Sequence, residues 1–151
     1  MNILYRVILV VSVLSSTQSI ARESMIYGGS YDADIKNIKS ANIVNLNIDV
    51  WAGYARNFDI KLANIDVPEV YDEAPDCHLK LMEDSLKFTK SFIRNAKELK
   101  VHKIAMEDSM KIYGSAEIHN EKTTLSKELL KKGFARSTNI PKETPWCQDE
   151  E

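Results

Sequence analysis

Asp66 and Glu69 stand three residues apart across Val67-Pro68, where the apolar run Lys61-Leu62-Ala63-Asn64-Ile65 stops. Proline fixes its own φ and biases the residue before it away from helix, so the two carboxylates should project from a stiff corner. A carboxylate that holds a metal, beside one that takes a proton from water, is half of a hydrolytic site. The same residues also suit a plain strand followed by an acidic loop, and for the tetrad alone that plainer reading is favoured.

The elements that must carry this corner are short. Residues 22 to 34 are polar, with Gly28-Gly29, and read as an extended lead-in. Ile35–Ser40 and Ile43–Val50 alternate with period two, as half-buried strands do. Ala52-Gly53 marks a hairpin turn, and Phe58–Ile65 continues as the next strand up to Asp66. Val70–Asp76 is an acidic loop. Leu79–Lys97 is expected to be helical, with Leu79, Met82, Leu86, Ile93 and Ala96 near 3.6-residue spacing. Leu99–Met106 and Ile112–His119 read as two more strands. Thr124 or Ser126 can cap a second helix that Gly133 ends. Five short strands and two helices suit a small closed barrel of the α+β class.

The first 21 residues read as a secretory leader. Arg6 supplies a positive start, Val7–Leu14 is an apolar run too short to span a bilayer, and Ser19-Ile20-Ala21 is a small-x-Ala cleavage site. Cleavage would leave about 130 residues, enough for one domain with one core. An exported chain, periplasmic or secreted and free of the membrane, is therefore expected. Export bears on the two cysteines, Cys77 and Cys147, because two cysteines in an oxidising compartment usually pair. The competing use of Cys77 with His78 as metal ligands lacks a second pair at zinc spacing.

Charge weighs against general affinity for nucleic acid. The chain has 20 Lys plus Arg against 22 Asp plus Glu, a net charge of −2, and loss of Arg6 with the leader makes it more negative. Sequence-independent binders rely on neutralising phosphates and usually carry a basic excess. Lys87, Lys90, Arg94, Lys97 and Lys100 do recur at helical spacing, as do Lys127, Lys131 and Lys132. A solvated helix face is the favoured explanation of each set.

Lys61-Leu62-Ala63-Asn64-Ile65-Asp66-Val67-Pro68-Glu69 resembles the R-L-x-x-I-D-x-P-E signature of the staphylococcal nuclease family. Asn45–Gly53 looks like that family's strand and W-P-G hairpin. Phe88-Thr89-Lys90 and Asn95-Ala96-Lys97 look like its first helix. Tyr113-Gly114 resembles the Y-G of D-K-Y-G-R, Leu129–Arg136 resembles L-x-x-G-L-A-R, and Trp146-Cys147 resembles the W-C tail of exported members. The resemblance runs in order over roughly residues 36 to 147. It implies a five-stranded OB-fold over 35–147, a class of barrel that binds oligonucleotides and oligosaccharides, with 148–151 as a tail. It also implies a bond between Cys77 and Cys147, since exported relatives carry cysteines at both places. Pro141 and Pro145 argue against the third helix of the family's type member.

The resemblance also assigns roles. In that family two aspartates and a backbone carbonyl hold calcium, the Glu of P-E is the general base, and two arginines grip the phosphate. Counted without gaps, the metal positions fall on Asn42, Asp66 and Val67, and the base falls on Glu69. The arginine positions fall on Lys61 and Ser115. Calcium prefers hard, negatively charged oxygens, so Asn42 should weaken its binding. Lysine lacks the two-pronged grip of arginine, and serine has no charge. Loss of such an arginine can cost about 10³ to 10⁵ in rate. Arg56, Lys111 and Arg136 are the candidate substitutes. Asp34, in Asp32-Ala33-Asp34-Ile35, is an alternative metal position that requires an eight-residue insertion. The expectation is a monomeric, exported binding protein with a degenerate site, holding nucleic acid weakly or a protein partner. Its rivals are an active calcium-dependent nuclease and a protein-interaction module built on the 69 to 76 loop.

Overall fold

A computed structural model of the chain describes residues 25–51, 53–106 and 113–147; the segment expected to be a leader, Lys111 and the residues after Cys147 lie outside them. Strand β1 runs Met25–Ser40, β2 Ile43–Trp51, β3 Tyr54–Leu62 and β4 Ile65–Asp66. Helix α1 spans Asp76–Asn95, followed by β5 Lys100–Met106 and β6 Tyr113–His119. Helix α2 covers Leu125–Lys131, and β7 is the pair Arg136–Ser137. Five strands close into a barrel in the order β1-β2-β3-β6-β5, with β5 returning to β1. Only the β3–β6 contact is parallel among these pairings. A parallel pair needs a long crossover, and α1 and β5 occupy it. The result is an OB-like α+β fold.

The alternation of β2 explains its place. Val44, Leu46 and Ile48 are fully buried, and Asn45 and Asn47 between them are not. Ile60 and Leu62 of β3 and Val101 and Ile118 of β5 and β6 complete the interior. Each such side chain contributes about 1.5–3 kcal/mol by leaving water. Leu125 and Leu129 of α2 close one end. Thr124 caps that helix by accepting a hydrogen bond from the Lys127 amide, and Gly133 ends it at φ 71°.

Three sequence expectations move. Strand β1 begins at Met25, ten residues before the alternation at Ile35, so much of the polar lead-in is barrel wall. Tyr31 and Asp32 pair with Val101 and Lys100, and this edge closes the barrel. Backbone pairing needs no apolar side chains, which is why composition hid it. The strand expected over Phe58–Ile65 stops at Leu62. Asn64 takes a left-handed φ of 61°, a conformation asparagine tolerates, and turns the chain into β4. Helix α1 starts three residues early, at Asp76, and its fully buried face is His78, Ser85, Thr89 and Phe92. The apolar positions expected to face inward are only partly covered, and Leu79 is exposed. Thr89 donates its hydroxyl to the Ala41 carbonyl at 2.8 Å, which pins α1 to the β1–β2 turn.

Lys39, Asp59 and Asn45 tie β1, β2 and β3 together on the barrel wall. The Lys39 ammonium and the Asn45 amide both donate to the Asp59 carboxylate. The Lys39 hydrogen bond holds the Asp59 carboxyl below the usual carboxylate range, against the opposing effect of burial.

Candidate functional site

β4 positions the acidic corner. Ile65 and Val67 are buried and anchor the segment, which turns the alternating residue Asp66 toward the outside. β4 pairs antiparallel with β7, so Asp66 is the cross-strand partner of Arg136. Pro68 is also buried and fixes the exit, and Glu69 beyond it is exposed. The Glu69 backbone carbonyl meets Nε2 of His78 at 2.8 Å, and the Tyr71 ring packs edge-on against the same imidazole. His78 is 3% exposed, so a buried ring on α1 sets the path of the loop that carries Glu69.

Lys61, Asp66, Val67 and Glu69 line one cleft of about 750 Å³. Its far wall is the tail from Lys142 to Cys147. The Cys77–Cys147 disulfide ties that tail to the first turn of α1, with a Cα–Cα distance of 6.4 Å. This settles Cys77 as a disulfide partner rather than a metal ligand beside His78. Arg136 also lines the cleft; both terminal nitrogens of its guanidinium are engaged, while its buried Nε has no hydrogen-bond partner among the described residues. The guanidinium lies over the Trp146 ring at 4.2 Å and donates to the Thr144 carbonyl and, at 2.9 Å, to the Lys142 carbonyl.

Asn42 and Ser115 do not line the cleft. Asn42 sits in the β1–β2 turn at 1% exposure. Its backbone carbonyl accepts from the Leu62 amide at 2.8 Å, and its Oδ1 accepts from the Ser40 hydroxyl at 2.9 Å. Its Nδ2 is buried with no hydrogen-bond partner. Ser115 lies beside Lys61 in the β3–β6 register and is half-buried. Asp34 faces Asn47 across β1 and β2, well along the sheet from the turn, and is exposed. Arg56 lies over the Phe58 ring at 5.7 Å, outside the cleft lining.

These positions do not fit a calcium ion. Asp66 is the one carboxylate among the three expected ligands. Asn42 can offer only a neutral carbonyl oxygen, already accepting from Ser40, and lies buried outside the cleft that holds Asp66. Among the described residues no group of three or more His, Cys, Asp or Glu is arranged to hold a metal ion. What the cleft offers is the Asp66 and Glu69 carboxylates with Lys61, then Lys142 and Glu143 on the tail side, and an arginine bound to the tail. That set can bind a polar ligand, and it has few groups placed to stabilise developing phosphate charge.

The sequence reading missed two contributors. His78 is considered in the sequence only as a metal ligand beside Cys77; its packing role shows in the polar spacing His78, Ser85, Thr89, a helical period that hydrophobicity does not flag. The stacking of Arg136 on Trp146 joins residues ten apart through a turn that no local pattern announces. Comparison with known proteins adds no name: no family model matches this chain, and neither does any curated protein.

Proposed function

We propose that this chain is an exported member of the staphylococcal nuclease family whose catalytic set is degenerate, and that it serves as a binding module, with nucleic acid as the ligand class. The reading rests on the ordered motifs from residue 36 to 147 and on the OB-like barrel. The observation that carries the loss of catalysis is the engagement of Arg136 by the tail, in a cleft that Asn42 and Ser115 do not line. Lys61 is then the remaining cation of the signature, and it cannot grip two phosphate oxygens at once. Export is part of the proposal. It draws on the leader-like residues 1 to 21 and on the disulfide, which persists in oxidising compartments. Among the described residues no helix is long and apolar enough to cross a membrane.

An active nuclease remains the second reading because Asp66 and Glu69 share one cleft. A single assay separates the two. Purified protein is incubated with single-stranded DNA and with RNA, in calcium and then in chelator. The expected result is no chelator-sensitive cleavage. Cleavage that needs calcium and disappears in Glu69→Gln would establish the nuclease instead.

A further inference from the structure

A second groove, of about 400 Å³, lies between β1 and α1 and shares no lining residue with the cleft. We infer that this groove is a docking track for the phosphate backbone of single-stranded nucleic acid, gripped by Lys36, Lys90 and Arg94. The inference rests on the binding role proposed above and gives it a location.

A β-bulge builds the groove. Ile35 pairs with Leu46 and Asn37 pairs with Asn45, so Lys36 is an extra residue without an opposite number on β2. In an unbroken strand, residues three apart face opposite sides. The extra residue instead leaves both Ile35 and Ile38 half-buried in the groove and turns Lys36 out to its rim. Ile93 of α1 supplies the rest of the apolar floor. Lys90 and Arg94, one helical turn apart, supply the opposite rim, and both are exposed.

The charge is of one sign. Among the described residues no carboxylate lines the groove, and none of its three cations forms an ion pair. Lys87, one turn away on the same helix, is by contrast paired with Glu83 at 2.8 Å. Like charges at i and i+4 repel, so Lys90 and Arg94 gain from an anion set between them. Their Cβ atoms lie about 5–6 Å apart in helical geometry, close to the separation of successive phosphates on an extended strand. An open groove with donors on both rims can follow a backbone without reading sequence. The isoleucine floor offers apolar contact to the sugars. This local excess arises on a chain of net charge −2, so charge complementarity favours this face over the rest of the surface.

The test uses the disulfide-bonded protein and a fluorescein-labelled oligo-dT 12-mer, with anisotropy read over a series of NaCl concentrations. Lys36→Gln with Lys90→Gln and Arg94→Gln is compared with a control of equal charge loss, Lys122→Gln with Lys127→Gln and Lys131→Gln. All six side chains are exposed, and thermal melts verify that both variants fold. Three phosphate contacts on a single strand contribute about 2 to the slope of log K against log salt, or about 100-fold in affinity at 0.1 M. The groove variant should lose that affinity and that slope, and the control should stay within about twofold of wild type. Equal losses in both variants would mean diffuse charge and overturn the groove. No loss in either would move binding elsewhere, ending the groove assignment while sparing the nucleic-acid reading. A wild type that ignores the oligonucleotide and binds poly-glutamate would overturn both.

Discussion

In the cleft, the guanidinium of Arg136 is stacked on Trp146 and bonded to carbonyls of the tail, whereas Lys36, Lys90 and Arg94 in the separate groove have no ion partner among the described residues. The difference lies in what each cation does for the fold. A guanidinium whose two terminal nitrogens fix a chain segment is held in place and has fewer donors left for a phosphate. A cation left in water gives up little. The expected arginine positions therefore hold Lys61 and Ser115, and the arginine that could have substituted for them, Arg136, serves the tail. The groove has no signature and keeps its charge available.

The strongest way to break this contrast is to release the tail. The disulfide closes a 70-residue separation, worth about 4 kcal/mol on the chain-entropy model. The double change Cys77→Ser, Cys147→Ser should lower urea-unfolding stability by about that amount. Oligonucleotide affinity should survive, because Thr89 and Phe92 still hold the groove half of α1 to the barrel. Loss of binding in the folded double variant would tie the groove to the cleft and end the separation.

Asn42→Asp comes next. The new carboxylate would be nearly sealed from water with one visible donor, the Ser40 hydroxyl. Burial of an undercompensated charge should cost about 2 kcal/mol or more at neutral pH. If millimolar calcium restores the melting temperature, the turn is a metal position after all. Unchanged melting with and without calcium is the expected outcome.

Arg136→Lys tests the structural use of the arginine directly. Lysine keeps the charge but cannot hold the same two carbonyls while stacking flat on the indole. The expected loss is about 1–2 kcal/mol, with a red shift in tryptophan emission as Trp146 is uncovered. A wild-type spectrum and stability would show that the tail does not depend on this contact.

How much of this was legible follows from where the information sits. Val44, Leu46 and Ile48 announce β2 because one face of that strand is fully buried. Thr124 and Gly133 announce the ends of α2 because caps are local chemistry. The start of β1 carries polar residues and is fixed by its pairing with β5, far along the chain, so alternation alone could not find it. The corner at Asp66 and Glu69 was readable from Pro68, but its partners were not. Asp66 meets Arg136 across seventy residues, and the groove depends on a bulge at Lys36 that exists only in the register between two strands. The Asn64 turn is signalled by an asparagine, which tolerates a left-handed φ, but the apolar residues on both sides mask it.

The smallest effect separates stability from binding on a third face. His102 of β5 packs against the His119 ring at 4.2 Å and meets the Ser30 hydroxyl, with Lys100, Lys103, Asp32, Glu98 and Glu117 around it. Burial lowers its pKa below 6.5; the His119, Lys100 and Lys103 charges push the same way, and Glu117 opposes them. A histidine whose folded pKa is depressed binds its proton less readily when folded than when unfolded. Its contribution is therefore whole above the unfolded value and is lost as pH falls through about 6.5 toward the folded value. Asp59 and Glu117, both held low by lysine hydrogen bonds, lose their contributions only below about pH 4.5. The interval from pH 7 to 5 thus belongs to the histidine face. Stability should decline modestly across it in wild type and less in His102→Gln. Groove affinity for oligo-dT should stay level over the same interval, since lysine and arginine keep their charge. An equal decline in the variant would remove His102 as the cause. A parallel decline in affinity would join this face to the groove.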